Sequence, residues 1–280
     1  EQEMQNTITV EYGGITEVLY NVYALTGNVN YYKAAQCFEE TALFEKILKQ
    51  EDPLAGLHSN TTIPKILGLC AAYEITGEEK YKTIAINFFD MVMQRTYSNG
   101  GTSYEEFWKI ENQVEEARFV EETCCSYNML YLTDYLYRWT GDKKYVEYYE
   151  NVYLNHILSS IDVETGCKTY HVNTQVGYYK VYHTFDTTFW CCSCSGMESY
   201  SKLGIHVYYK IEGGVEVNLF TPSTLKYSND LSIVQSGNYL TDEKTTLKIV
   251  GGGNLKLKIR IPDWCKDTYS VKLNNTTIVN

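Results

Sequence analysis

The first half of the chain alternates apolar and polar residues with the spacing of amphipathic helices, and a short motif recurs between the helical segments. The motif Y-x-x-T-G-x-x-x-Y occurs at residues 23–31, 73–81 and 137–145. Glycine directly after the last periodic residue is a common helix C-terminal signal. Each copy therefore predicts a helix, a tight turn and a second helix. Three such hairpins favour stacked antiparallel helix pairs, as in an α/α toroid or a solenoid.

The pattern changes beyond residue 165. Residues 167–185 alternate, are rich in aromatic and β-branched side chains, and predict a β-hairpin insertion near 165–190. Short alternating segments with Gly, Asn and Asp turns then predict a β-sandwich. We expect a partial α/α toroid over residues 1–205 and a β-sandwich over 206–280. The chain lacks an initiator methionine and its strand pattern stops abruptly, so we expect both ends to be truncated.

Composition narrows the classes of partner. The chain has 280 residues, of which 44% are hydrophobic, and a formal net charge of −11. This charge, without a Lys/Arg stripe, argues against nucleic acid. Apolar runs are too short for a membrane helix, and the N-terminus has no signal-peptide pattern. The 27 tyrosines suit either a sugar-lined cleft or the packing of a helical array. No pattern specifies an oligomeric state.

Cysteine is used unusually. Nine cysteines is an odd number, which excludes a fully paired disulfide framework. Cys37 and Cys70 lie in helical patterns and are expected to be core residues. The segment WCCSCSGME at 190–198 places three cysteines within four positions. Ser195 and Glu198 fit a capping box, so a short helix is expected from about residue 196, with the cysteine pair in the preceding loop.

A second thiol-bearing segment lies at the predicted start of another helix. Glu122 and Cys124 can converge only if their segment is non-helical or in the first helical turn. A helix N-terminus also favours a thiolate. Thiolate and carboxylate ligands suit zinc. A vicinal disulfide, buried free thiols and a structural four-cysteine site are alternatives. The candidate ligands are Glu122, Cys124, Cys125, Cys191, Cys192 and Cys194.

Carboxylates are dense between residues 102 and 122. A glycosidase needs a proton donor for the leaving oxygen and a nucleophile for the anomeric carbon. A glutamate near a thiolate could serve as the donor. A solvated acidic loop is the alternative interpretation of the same run.

Several of these stretches together resemble the β-L-arabinofuranosidases, which are glycoside hydrolase families 127 and 146. The resemblance is carried by EYGGITEVLYNVYALTG (11–27), GLHSNTTIPKILG (56–68), YEEFW (104–108), EETC (121–124) and FWCCSCSGME (189–198). It extends from about residue 11 to beyond residue 205. The combination of E-x-C with F-W-C-C is its most specific part.

The resemblance implies a mainly α fold with β structure, namely a partial (α/α)6-barrel catalytic domain followed by a β-sandwich. It also implies a retaining glycosidase that acts on a carbohydrate substrate. Cys191 falls on the family's nucleophile, and Glu105 on its acid/base, with Glu106 as the fallback. His58 and Tyr170 match substrate-contacting positions. The implied Zn²⁺ ligands are Glu122, Cys124, Cys191 and Cys192.

The chain also departs from the family pattern. Cys194 stands where the family has glycine, adding a thiol that could compete for zinc or form a disulfide. Ser199 and Tyr200 replace the family's Asn-His. An inactive relative with a structural zinc and a glycan-binding role is therefore an alternative, and a metal-free, thiol-rich core is another. Free thiolates favour a reducing compartment, so a cytoplasmic location is expected.

Overall fold

The structure, a computed structural model, describes residues 5, 8, 12–113, 117–238, 241–265 and 268–279. The chain divides into two compact units, Glu1–Ser199 and Tyr200–Asn280. Among the described residues, no helix is long and apolar enough to cross a membrane. The α-helices are α1 Ile15–Thr26, α2 Val29–Cys37, α3 Thr41–Leu48, α4 Ser59–Thr76, α5 Glu79–Met93, α6 Thr123–Thr140, α7 Lys143–Val152 and α8 Cys191–Lys202.

The three predicted helical hairpins are confirmed as the pairs α1–α2, α4–α5 and α6–α7. The glycine at each turn has a φ of +68°, +70° or +65°, a conformation that glycine adopts without steric cost. Each glycine donates its N–H to the carbonyl four residues earlier, which ends the first helix of the pair. These residues are Gly27, Gly77 and Gly141.

Helix α4 lies between neighbouring hairpins and packs against both α1 and α6. It is buried on all sides, with Ile63, Ile66 and Leu69 fully inaccessible. Gly68 lets α1 approach closely, since a Cβ at this position would lie 2.7 Å from the Thr16 Cβ. A buried array of helix pairs is thus the scaffold of the first unit.

The predicted β-hairpin near 165–190 is present only as isolated bridges among the described residues. Lys168 pairs with Ile161, Thr169 with Tyr182, and Thr184 with Thr188. No continuous ladder forms because the backbone groups find separate partners: the Lys168 N–H, for example, donates to the His183 ring. Alternating residues here form an irregular layer over the start of α6.

The second unit contains short strands in three small sheets. The first sheet has the order β1–β2–β6, with β2 and β6 parallel; the second has β3–β4–β5; the third has β7–β8. The β character predicted for this region is confirmed, and the sandwich arrangement stays a prediction. The strands are β1 Tyr208–Ile211, β2 Gly214–Val217, β3 Ser223–Lys226, β4 Leu231–Ser236, β5 Thr246–Gly251, β6 Lys256–Ile259, β7 Val271–Leu273 and β8 Thr276–Val279.

Candidate active site and metal centre

The cysteine-rich segment is itself the start of a helix. Helix α8 begins at Cys191, five residues earlier than the capping box predicts. The Ser193 side chain accepts the Trp190 N–H at 3.2 Å, so this serine performs the capping contact. Ser195 instead approaches the carbonyl of Cys191 inside the helix. Cys191 and Cys192 are therefore first-turn residues of a helix rather than loop residues.

Helix α6 supplies the other half of the cluster. Glu122 occupies its N-cap position and Cys124 lies in its first turn, as predicted. A carboxylate and a thiol two residues apart can converge here because the chain enters the helix in an extended conformation at Glu122. Two helix N-termini, each favourable to negative charge, thus supply the thiols and the carboxylate.

Four predicted ligands come together. One ligand atom from each lies within 4.8 Å of the other three. The Cys124 and Cys192 Sγ atoms are 3.2 Å apart, and the Cys191 and Cys192 Sγ atoms are 3.9 Å apart. The Glu122 Oε1 lies 4.0 Å from the Cys191 Sγ. Glu122, Cys124 and Cys192 are buried, whereas Cys191 is exposed.

These separations fit a tetrahedral zinc ion. Zn–S bonds of about 2.3 Å place neighbouring ligand atoms about 3.7 Å apart. Three sulfur donors and one carboxylate oxygen also favour zinc over magnesium or calcium. The donor set and its spacing can therefore hold a metal ion.

The electrostatics of the cluster favour a bound cation. Hydrogen bonds from Cys124 and Cys192 lower the pKa of Cys191, and Tyr170 contributes in the same direction. Burial, followed by the charge of Cys191, raises the pKa of Glu122 to about 8. A negative charge on Cys191 therefore opposes ionisation of the neighbouring Glu122. A divalent cation removes this opposition because it neutralises the ligands it binds.

The two other predicted cysteines lie outside this group of four. Cys125 is fully buried, and its Sγ lies 3.5 Å from the Glu122 Oε2 and 3.4 Å from the Ser59 Oγ. Cys194 is exposed on α8. Every cysteine is a free thiol, so the disulfide alternatives find no support in this structure.

Glu105 and Glu106 form the centre of a two-residue hairpin turn. Tyr104 and Phe107 exchange both backbone hydrogen bonds, each at 2.9 Å. The central residues have φ values of +46° and +71°, as in a type I′ turn, where Asn and Gly are the usual residues. Successive residues of such a turn point in different directions. Glu105 is exposed, whereas Glu106 is turned toward the cluster.

Glu106 connects the remaining predicted residues. Its Oε1 accepts a hydrogen bond from the Tyr170 hydroxyl at 2.5 Å, and its Oε2 lies 3.3 Å from the His58 Nε2. The His58 Nδ1 accepts the Thr61 N–H, so its Nε2 carries the hydrogen and donates to Glu106. Tyr170 also contributes to the lowered pKa of Cys191, so this tyrosine lies near both the carboxyl group and the exposed thiol.

A buried network behind the cluster has no signature in the sequence. The His156 Nε2 donates to the Glu121 carbonyl at 3.0 Å, and its Nδ1 therefore accepts from the Ser126 hydroxyl at 2.6 Å. The Asn99 side chain donates to the Glu121 carboxylate at 2.6 Å. Burial raises the pKa of Glu121 to about 7. These contacts fix the segment that leads into Glu122, although their partners are distant in the sequence.

A carboxyl group beside an exposed, low-pKa thiol, on a scaffold of helical hairpins, supplies the proton carrier and the nucleophile that a glycoside hydrolase requires. Comparison with protein-family profiles identifies the family. Residues 1–205 match the β-L-arabinofuranosidase GH127 catalytic domain, and residues 214–280 match the GH127 middle domain. The chain belongs to the GH127 β-L-arabinofuranosidase family.

Solved structures share the fold. A GH127 β-L-arabinofuranosidase from Geobacillus stearothermophilus T6 superposes with a TM-score of 0.75 at 20% identity, covering 94% of this chain and 49% of its own. The GH127 β-arabinofuranosidase BT3674 gives a TM-score of 0.78 at 21% identity, covering 96% and 48%. The chain thus spans about half the length of these structures. No curated protein matches it.

Proposed function

We propose that the protein is a retaining glycoside hydrolase that acts on β-L-arabinofuranosides through Cys191, with Glu106 as the acid/base. The observation that supports this most directly is the hydrogen bond from Tyr170 to Glu106, since the same tyrosine lies near Cys191 and contributes to its lowered pKa. This arrangement supports a proton carrier and a nucleophile that act at one site. The sugar is inferred from the family and from its solved relatives, whose names describe β-arabinofuranosidases.

In the first step, the Cys191 thiolate attacks the anomeric carbon and the bond to the leaving oxygen breaks. Glu106 gives its proton to that oxygen, so the leaving group departs as a neutral alcohol. The sugar is then held by a C–S bond. His58 and Tyr170 orient the Glu106 carboxyl through hydrogen bonds to its two oxygens.

In the second step, the Glu106 carboxylate takes a proton from water, and the water oxygen attacks the same carbon. The C–S bond breaks, and its electron pair returns to Cys191 as the thiolate. Two displacements at one carbon retain its configuration.

A zinc ion fits the site, with Glu122, Cys124, Cys191 and Cys192 as its ligands. When bound, it keeps sulfur deprotonated and fixes its position. Burial of Glu122, Cys124 and Cys192 leaves Cys191 as the ligand accessible to a substrate.

Metal content is the first test of this proposal. Native mass spectrometry of protein purified without chelator should show one zinc per chain. The Cys192→Ser variant should show less zinc because it loses a buried ligand, while Cys37→Ser, which changes an exposed cysteine outside the cluster, should match the wild type. Wild-type protein that contains no metal while folded and reduced would contradict the zinc assignment.

The nucleophile is tested by trapping. Wild-type protein quenched during turnover should carry one sugar mass on the peptide that contains Cys191. The Cys191→Ser variant should lose hydrolysis and carry no adduct. A Cys191→Ser protein that retains most of its activity would disprove the role of this thiol.

The acid/base is tested by a matched pair on one turn. Glu106→Gln should lower kcat by roughly 10²–10⁴-fold because proton transfer is lost. Glu105→Gln makes the same chemical change on the neighbouring exposed residue and should leave kcat nearly unchanged. A large loss of kcat in Glu105→Gln with little loss in Glu106→Gln would instead identify Glu105 as the acid/base, as the sequence resemblance implies.

The departures at Cys194, Ser199 and Tyr200 keep a second candidate in view, namely an inactive relative that holds zinc structurally and binds glycans. Zinc in the protein together with glycan binding and no trapped sugar on Cys191 would favour it. The set of nine free cysteines also supports a reducing location as part of the proposal.

A further inference from the structure

Two half-exposed phenylalanines flank the turn that carries Glu106. Phe107 is 48% exposed and directly follows Glu106, and Phe119 is 51% exposed. Both are tied to the turn by backbone hydrogen bonds: Phe107 closes it with Tyr104, and the Phe119 carbonyl accepts the Glu105 N–H at 2.6 Å. Their position relative to Glu106 is therefore set by the same backbone geometry that orients the acid.

Each of these two phenylalanine rings packs against a histidine ring of the candidate active site. Phe107 packs edge-on against His58, with ring centroids 5.5 Å apart, and Phe119 packs edge-on against His171 at 5.8 Å. His58 contacts Glu106, and His171 packs on Tyr170, which donates to Glu106. The two phenylalanines thus continue the site outward from the acid, leaving apolar surface exposed beside it.

The proposed reaction indicates which part of the substrate faces the apolar surface of Phe107 and Phe119. An acid/base must lie within hydrogen-bond reach of the leaving oxygen, while the nucleophile attacks the anomeric carbon from the opposite side. Apolar surface attached to the turn of Glu106 therefore faces the leaving group. Isolated exposed apolar residues are common on protein surfaces, but a pair anchored to the acid's own turn forms part of the substrate path.

Nearby polar groups indicate what kind of leaving group fits. The carboxylates of Glu106 and Glu122 disfavour an anionic group. Exposed aromatic surface beside these carboxyl groups matches a neutral sugar ring.

We propose that Phe107 and Phe119 form the leaving-group subsite and that this subsite takes a neutral sugar ring, a specificity that rests on the proposed glycosidase function. The C–H face of that ring contacts the phenylalanines while its glycosidic oxygen reaches Glu106. The enzyme would then favour β-L-arabinofuranosyl disaccharides over glycosides with small leaving groups.

A comparison of two substrates tests the subsite. A β-L-arabinofuranosyl disaccharide and methyl β-L-arabinofuranoside both need protonation of the leaving oxygen, but methanol is too small to contact both rings. Phe107→Ala and Phe119→Ala should each lower kcat/KM for the disaccharide about tenfold, mainly through KM. Their loss on the methyl glycoside should be smaller than their loss on the disaccharide, and an unchanged circular dichroism spectrum shows that they fold.

Phe185→Ala is the matched control, because Phe185 is 75% exposed in the same unit and its ring contacts His183 rather than the Glu106 turn. Equal losses on both substrates, no loss on the disaccharide, or an equal selective loss in Phe185→Ala would overturn the subsite. Wild-type protein that cleaves neither substrate and forms no adduct on Cys191 would overturn the proposed function itself. The two failures are thus distinguishable.

Discussion

At the scale of single residues, positive φ angles concentrate beside the proposed chemistry. Ser103, Glu105, Glu106 and Glu121 all have φ between +46° and +89°. Non-glycine residues adopt this conformation at a cost, and such strain is typical of functional sites. Here the strain turns Glu106 toward Tyr170 and Glu122 toward the thiols. The surrounding hydrogen bonds, such as that from Asn99 to Glu121, hold the strained segment in place.

Replacing Glu105 with asparagine should relieve part of this strain. Asparagine tolerates positive φ better than glutamate, and it is preferred in type I′ turns. Glu105→Asn should raise the free energy of unfolding by about 0.5–1 kcal/mol, measured in urea. Hydrolysis should persist because Glu106 is untouched. A loss of activity comparable to that of Glu106→Gln would show that Glu105 participates directly.

At the scale of elements, helix ends determine both the array and the site. Left-handed glycines end the first helix of each hairpin, and the N-termini of α6 and α8 carry the four proposed ligands. Because helix boundaries fix which side chains converge, a shift of one boundary would separate the ligands. The sequence motifs at these ends therefore contribute to function as well as to folding.

Substitutions at a turn glycine test whether its left-handed backbone conformation stabilises the helical hairpin. A Cβ at Gly77 would have no atom within 4 Å, so Gly77→Ala changes only backbone strain at a φ of +70°. We expect the free energy of unfolding to fall by about 1 kcal/mol. Gly77→Asn should lose less because asparagine visits this conformation more readily. Equal losses in the two variants would argue against backbone strain as the cause.

His156 lies in a short π-helix, Tyr153–Ile157, directly after α7. Its contacts with Glu121 and Ser126 link this segment to the start of α6, and its burial should make stability depend on pH. Burial lowers its pKa from 6.5 to about 4. Folding therefore disfavours the protonated form. The stabilisation that depends on a neutral His156 is complete above pH 6.5. As the pH falls from 6.5 toward 4, the free energy of unfolding should decrease by about 3 kcal/mol.

The measurement is the free energy of unfolding of wild type relative to His156→Gln between pH 7 and 4. Glutamine does not titrate in this range, and the neighbouring Glu121 is present in both proteins, so the difference isolates the histidine. The wild type should lose stability relative to the variant as acid is added. A constant difference would show that His156 is not held neutral by burial.

At the scale of the whole molecule, the sequence anticipates the helical hairpins because helix ends leave local patterns, whereas the set of four ligands follows only from the resemblance to a family. The Y-x-x-T-G motif identifies the turns, whereas E-x-C and C-C alone leave six candidate ligands. Glu106 is harder to choose over Glu105 because a Glu–Glu pair carries no turn signal. The contacts of His156 with Glu121 and Ser126 join residues about 30 positions apart, which no short motif records.

The ligands join the start of α6 to the start of α8, more than 60 residues later in the sequence, so bound metal should stabilise the fold as a whole. A ligand that binds only the folded state adds about 2.7 kcal/mol at 100 times its Kd. Chelator should lower the Tm of the wild type, and added zinc should restore it. The Cys192→Ser variant should respond much less to either treatment. A wild-type Tm indifferent to both would exclude a stabilising metal.

The short separation of the Cys124 and Cys192 sulfurs has a practical consequence. At 3.2 Å they need to approach by only about 1.2 Å to reach the S–S bond length. A metal between them keeps them apart as ligands, whereas chelated protein exposed to air has the thiols poised for oxidation. Such a preparation would lose two metal ligands to a cross-link and would be mistaken for an inert protein. Assays therefore need reductant present from cell lysis onward and no chelator.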